Sequence, residues 1–125
     1  MGRGAVREAL WLLMNVLALE EHEAEAPAGT GLERARALRA QAVDLLLGLL
    51  GIGREELSPR WCHLKHALLA AEHAYELAGM LAGSSPELSE RALALFSDAL
   101  ALAEELLRRE RHISPEAPAQ ADEQG

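Results

Sequence analysis

The sequence has few of the residues that favour β-strands. Among its 125 residues there are three Val, two Ile and one Thr, and four aromatic side chains. β-Branched and aromatic residues are enriched in strands, whereas Leu and Ala, which make up most of the apolar half of this chain, are strong helix formers. This composition argues strongly against a β-sheet, and we expect an all-α fold.

Positive charge is also scarce. Twelve Lys and Arg residues, of which Lys65 is the only Lys, stand against twenty Asp and Glu, giving a net charge of -8. Nucleic acid and anionic membrane surfaces select for clustered basic residues, so neither is expected as a partner. The lone cysteine, Cys62, cannot form an intramolecular disulfide, which favours a reducing cytoplasm.

An apolar run near the N-terminus leaves secretion open as an alternative. Arg3 and Arg7 precede the run at residues 9–19, and Ala24-Glu25-Ala26 has the small-x-small form of a signal-peptidase site. Glu8 in the charged region is unusual for a signal peptide, and the run is too short to span a bilayer. We therefore expect a soluble cytoplasmic protein.

Helix-start and helix-stop residues divide the chain into four segments. Thr30 and Glu33 have the spacing of a capping box, and Gly51 suits the left-handed residue that ends a helix. Ser58 followed by Pro59 is a favoured helix entry. The predicted helices cover about residues 5–25, 31–50, 59–82 and 86–111.

Short connections separate these helices, and helices joined in this way usually pack as antiparallel neighbours. We therefore predict an antiparallel up-down-up-down four-helix bundle as one domain over residues 1–113. Residues 114–125 contain two Pro among mixed polar residues, which predicts a disordered tail.

The first predicted helix is apolar on nearly every side. Trp11 and Met14 lie opposite its core-facing stripes and are expected to face outward. A bundle of this size cannot bury such a helix on all sides, so we expect a homodimer with Trp11 and Met14 in its interface. The core-facing residues of this helix are Val6, Ala9, Leu10, Leu12, Leu13, Val16 and Leu17.

Two carboxylates on the first helix suggest a metal site. Glu20 and Glu23 fall on its core-facing side, and an up-down-up-down order brings them towards His73 and Glu76 on the third helix. Carboxylate and imidazole groups are common metal ligands. The Glu-x-x-His pairs of di-iron bundles are missing, so we regard these side chains first as solvated residues at the rim of the core.

The start of the third helix carries a second cluster of reactive side chains. Cys62 and His66 have the spacing of two ligands on one helical turn, although a small buried residue is the preferred interpretation of Cys62. Arg60 and His66 resemble the Arg-x(4–6)-His signature of HEPN domains, helical bundles that include toxin ribonucleases. That resemblance implies that Arg60 stabilises phosphate charge and His66 assists proton transfer.

Other chemical motifs are absent from the sequence. It has no Gly-rich phosphate loop, no Cys-x-x-Cys pair and no Gly-x-Ser-x-Gly, so no cofactor is expected. Trp61 and Tyr75 align with core positions of the third helix. The leading hypothesis is a non-enzymatic interaction or scaffold module that forms a homodimer and docks a helix of a partner protein. The alternative is a bundle with a metal site or a HEPN-like ribonuclease site.

Overall fold

The computed structural model describes residues 3–26 and 30–112, all of which lie in helices or in the turns between them. The predicted disordered tail, residues 114–125, lies outside the described residues. Four long helices and one helical turn form the described part of the chain. They are α1 (Arg3–Glu25), α2 (Thr30–Leu50), α3 (Arg54–Leu57), α4 (Trp61–Leu81) and α5 (Pro86–His112).

Helix α2 ends where the sequence predicts, at Leu50 before Gly51. Gly51 has a φ angle of 71°, the left-handed conformation that glycine adopts without a steric penalty. Its N–H and that of Ile52 donate hydrogen bonds to the carbonyl of Leu47, at 2.8 and 3.2 Å. Ile52 packs on the core, which completes the hydrophobic contact expected at such a helix end.

The connection between α2 and α4 is more helical than the predicted simple turn. The N–H of Gly53 donates a hydrogen bond to Oε1 of Glu56 at 2.8 Å, which supports the single turn of α3. Leu57 at the end of α3 is buried and anchors the connection in the core. Pro59 therefore lies in a 3-10 turn over Ser58–Arg60, and α4 begins at Trp61 rather than at Pro59.

The long helices form two antiparallel hairpins. α1 packs against α2 and α4 packs against α5, while contacts between α1 and α4 join the hairpins. In the second hairpin the Ser89 hydroxyl donates a hydrogen bond to the carbonyl of Ala78 at 2.8 Å, which links α5 to α4. The prediction of an all-α four-helix bundle is confirmed.

The core lies where the two hairpins meet. All four long helices contribute to it, and α5 supplies the buried side chains of Leu100, Ala103, Leu106 and Leu107. Burial of these leucines supplies most of the driving force for folding, about 2 kcal/mol for each fully buried side chain. The largest fully buried side chains are Leu10, Leu13, Met14, Leu17, Leu46, Leu64 and Leu68.

The prediction that Trp11 and Met14 face outward is wrong. Met14 is 2% exposed within the single chain. Trp11 is partly buried, and its ring makes edge contacts with Tyr75 and Phe96 at centroid distances of 5.9 and 5.1 Å. α4 and α5 cover this side of α1, so neither residue is placed to form the centre of a contact between two copies.

Three other predicted core positions face solvent. Leu12 is 44% exposed and Tyr75 is 50% exposed, although Tyr75 still contacts the rings of Trp11 and Phe96. Cys62 is also exposed rather than buried. In each case the apolar side of the helix extends beyond the area that neighbouring helices contact. Sequence periodicity does not show where those contacts end.

Candidate functional site

The predicted metal ligands on α1 are engaged in other contacts. Glu20 accepts hydrogen bonds from Arg39 at 2.7 and 2.9 Å, and Arg36 lies 3.6 Å from the same carboxylate. The Glu23 carboxylate lies against α2, so close to Gly31 that a β-carbon there would collide with it. The structure therefore does not bring Glu20 or Glu23 together with His73, as the sequence-based hypothesis required.

A different carboxylate of α1 reaches His73. Nε2 of His73 lies 3.1 Å from Oε1 of Glu21, and Nδ1 of the same ring lies 3.4 Å from Oε1 of Glu72. One ligand atom from each of these three residues lies within 4.8 Å of the other two. We call Glu21, Glu72 and His73 the carboxylate–histidine cluster. It bridges α1 and α4, the two helices that join the hairpins.

Glu72 is the unusual member of this cluster. Its side chain is only 8% exposed, and Oε1 has no hydrogen-bond partner among the described residues. Burial raises the pKa of the Glu72 carboxyl above its ordinary value, and hydrogen bonding and charge from Glu76 raise it further. A buried carboxylate oxygen without a donor is energetically costly, so this position calls for a physical explanation.

The sequence-based analysis missed Glu21 and Glu72 for different reasons. Glu21 follows the expected ligand Glu20 by one residue, about 100° around the helix, and the choice between them depends on where α4 lies. Glu72 lies on α4 immediately before His73. Since Glu72 and His73 are adjacent, a search for helical i, i+3 or i, i+4 ligand pairs does not find them.

The second predicted cluster lies at the other end of α4. Arg60 ends the 3-10 turn before α4 and is partly buried, whereas His66 is exposed. His66 lies in a groove between α4 and α5 whose lining residues do not include Arg60. This open, largely apolar groove of about 500 Å³ is lined by Cys62, His63, His66, Ala67, Leu102 and Leu106.

The first hairpin also exposes leucines in a regular arrangement. Leu12 and Leu19 on α1, and Leu38 and Leu45 on α2, are 40–58% exposed. Residues seven apart lie on the same side of a helix. We call these four residues the outer leucine face.

The ion pairs between α1 and α2 set the register of this face. The contacts of Glu20 with Arg36 and Arg39 define an antiparallel pairing in which Leu19 lies level with Leu38. The same pairing places Leu12 level with Leu45. Trp11 marks the side of α1 that faces α4 and α5, and Leu12 lies about 100° around the helix from it. The four leucines therefore occupy the side of the hairpin away from α4 and α5.

The second hairpin exposes apolar residues as well. Leu88, Leu95 and Leu102 on α5 are 44–62% exposed and recur every seven residues. On the neighbouring helix α4, however, exposed histidines such as His66 and His73 interrupt the apolar surface.

A scan against protein-family models and searches of curated proteins and solved structures found no match to this chain. Within the described residues, every helix falls short of the length or the apolar character needed to cross a membrane.

Proposed function

We propose that this protein is a non-enzymatic interaction module that forms a homodimer through the outer leucine face. The proposal rests on four half-exposed leucines that lie together on one side of the first hairpin. They are Leu12, Leu19, Leu38 and Leu45. Contiguous apolar surface of this kind is uncommon on monomers and marks contact sites. The predicted self-association is retained, but the contact moves from Trp11 and Met14 to the opposite side of α1.

The size of the face is compatible with a stable dimer. A helix of about 20 residues is about 30 Å long, and two adjacent helices are about 20 Å wide. Pairing of two such faces would bury on the order of 1,200 Å² in total, the lower end of the range for stable, specific interfaces. A second copy in close register would cover all four leucines in this way.

The charges beside the leucines select one orientation of the two copies. The edge of the face on α1 carries the exposed residues Glu8 and Asn15, whereas the edge on α2 carries Arg34 and Gln41. If α1 packed on α1 of the partner, two acidic edges would face each other. A two-fold axis parallel to the helices instead packs α1 on the partner's α2, where acidic and basic edges meet.

We propose further that the dimer resides in the cytoplasm. Cys62 is exposed and is the only cysteine of the sequence, and a reducing compartment would keep such a thiol free. The docking of a helix from a partner protein remains a prediction. The heptad-spaced leucines of α5, Leu88, Leu95 and Leu102, are the surface that it would use.

Charge introduced on the outer leucine face tests the proposal. The double variant Leu12→Glu and Leu45→Glu places two carboxylates in the centre of the proposed contact, at positions that already face solvent in the single chain. We expect this variant to keep its helical circular dichroism and to become monomeric in light scattering coupled to size-exclusion chromatography. The dissociation constant should rise at least about a hundredfold, since buried unpaired charges are strongly unfavourable.

The second hairpin offers a matched control. Leu95→Glu with Leu102→Glu makes the same substitutions at leucines of similar exposure, and we expect it to remain dimeric. A wild-type protein that stays monomeric at high concentration would overturn the proposal. So would a dimer that survives the first pair of substitutions and dissociates on the second.

Disulfide trapping tests the orientation of the two copies. With Cys62 replaced by Ala, one preparation carries Asn15→Cys and the other carries Gln41→Cys. Asn15 of one copy would lie across from Gln41 of the other, so oxidation of the mixture should yield a covalent dimer containing one chain of each kind. Dominant cross-linking of Asn15→Cys chains to each other would instead indicate packing of α1 on α1.

A further inference from the structure

We propose that the carboxylate–histidine cluster of Glu21, Glu72 and His73 binds one divalent first-row transition-metal ion, with Zn²⁺ as the representative ion. This inference is independent of the proposed dimer, because the cluster lies between α1 and α4 within one chain. The ion would link the two hairpins at the contact between these helices.

The positions of the ligand atoms are close to those that an ion requires. One atom from each residue lies within 4.8 Å of the other two. Ligands about 2.0–2.2 Å from a tetrahedral ion lie roughly 3.3–3.6 Å from one another, so closure requires movements of about 1 Å. The side chains of His73 and Glu21 are 60% and 44% exposed, which leaves both free to make such movements.

Glu72 provides a second reason to place a cation here. Its carboxylate is buried, and Oε1 lacks a donor among the described residues while lying 3.4 Å from Nδ1 of His73. A surface cluster of solvated acids would satisfy such an oxygen with water. A bound cation would satisfy it directly and would neutralise a carboxylate that has little access to solvent.

The donor set favours a transition metal over Mg²⁺ or Ca²⁺. Imidazole nitrogen suits Zn²⁺, Fe²⁺ and Ni²⁺, whereas Mg²⁺ and Ca²⁺ take oxygen ligands almost exclusively. Glu76 lies one helical turn beyond Glu72, on the same side of α4. It would serve as a fourth ligand or as a hydrogen-bond acceptor for a bound water molecule.

Titration of the full-length protein with Zn²⁺ tests this inference. After treatment with chelator, the protein competes with a chromophoric zinc indicator for the ion. We expect one Zn²⁺ per chain and a higher melting temperature in the presence of the ion. Glu72→Gln and His73→Asn should each weaken binding at least about tenfold and remove the thermal shift. His73 is exposed, so the His73→Asn variant is expected to fold even if a change at Glu72 disturbs packing.

The other metal-capable residues of α4 provide the control. The double variant Cys62→Ser and His66→Asn removes a possible ligand pair at the far end of the same helix and should bind Zn²⁺ as tightly as the wild type. Loss of binding in this variant, with binding retained in His73→Asn, would overturn the proposal. Failure of the wild-type protein to take up Zn²⁺ at micromolar concentrations would do so as well.

Discussion

Arg39 donates hydrogen bonds from Nη1 to both carboxylate oxygens of Glu20, at 2.9 Å to Oε1 and 2.7 Å to Oε2. The Glu20 side chain is only 15% exposed, and Arg39 is 30% exposed. This pair joins α1 to α2 in a partly desolvated position, where removing one partner leaves the other poorly solvated. It therefore holds the register on which the outer leucine face depends.

We expect Glu20→Ala to lower the free energy of unfolding by about 1–2 kcal/mol, because Arg39 loses its partner in a partly buried position. The matched control is Asp44→Ala. Asp44 pairs with Arg54 at 2.6 Å, but both side chains are more than 60% exposed, so its loss should change stability by less than about 0.5 kcal/mol. Urea unfolding at one fixed protein concentration measures both values, and equal effects would contradict this interpretation.

The helix boundaries were predictable because short-range chemistry sets them. Gly51 ends α2 through a left-handed conformation that the sequence indicates directly, and Pro86 begins α5. The turn of α3 was missed because it depends on the burial of Leu57, a tertiary contact. Local signals therefore define the long helices, while the connection between the hairpins depends on packing.

Substitution of glycine tests the helix stop. Gly51→Ala should lower stability by about 1 kcal/mol, because a β-carbon is strained at a φ angle of 71°. Gly79→Ala is the control, since Gly79 lies within α4 with open space around it and Ala is the better helix former. We expect thermal unfolding to show a lower melting temperature for the first variant and a slightly higher one for the second.

The aromatic cluster should contribute to the contact between the hairpins. Phe96 contacts Trp11 and Tyr75 at centroid distances of 5.1 and 5.2 Å, so Phe96→Ala should cost about 2–4 kcal/mol. Met80 is 78% exposed, and Met80→Ala should change stability by no more than about 0.5 kcal/mol. Denaturant unfolding monitored by tryptophan fluorescence measures the stability of both variants. A loss of less than about 0.5 kcal/mol for Phe96→Ala would show that the aromatic cluster contributes little to the contact between the hairpins.

The orientation of α1 was not predictable from its own sequence. A helix with apolar residues on nearly every side gives no single direction of burial, and the contacts of Trp11 with α4 and α5 decide it. Once Trp11 and Met14 turn inward, Leu12 and Leu19 turn outward. The surplus of apolar surface was predicted correctly, whereas its position was not.

The Glu72 carboxyl should make stability depend on pH. Burial raises its pKa, as do Glu76 and Glu21, while His73 lowers it. The folded state therefore holds this proton more tightly than the unfolded chain does. Stability from this group is present below its unfolded pKa and is lost as pH rises through its folded pKa.

The variant Glu72→Gln keeps a neutral side chain of the same shape at every pH. In the presence of chelator, we expect it to melt at a higher temperature than the wild type at neutral pH. The difference should shrink as pH falls, because the raised pKa lets the wild-type carboxyl take up its proton before an ordinary glutamate would. Circular dichroism melts across this range provide the measurement. A lower melting temperature for Glu72→Gln at neutral pH would mean that the charged carboxylate stabilises the fold.

The carboxylate–histidine cluster was predictable only in part. His73 was identified as a candidate ligand because an up-down-up-down order brings the end of the first helix towards it. Its neighbours depend on how α1 crosses α4, and that crossing brings Glu21 rather than Glu20 to the ring. Since Arg39 lies on a third helix, no pattern within α1 alone distinguishes the two adjacent glutamates.

The central claim is that the outer leucine face pairs with a second copy. Native mass spectrometry of the unmodified protein, supported by sedimentation velocity over a range of concentrations, tests it most directly. We expect a species of twice the 13.5 kDa chain mass that dissociates only on dilution. A single 13.5 kDa species at all concentrations up to hundreds of micromolar would contradict it and leave Leu12, Leu19, Leu38 and Leu45 as solvent-exposed residues of a monomer.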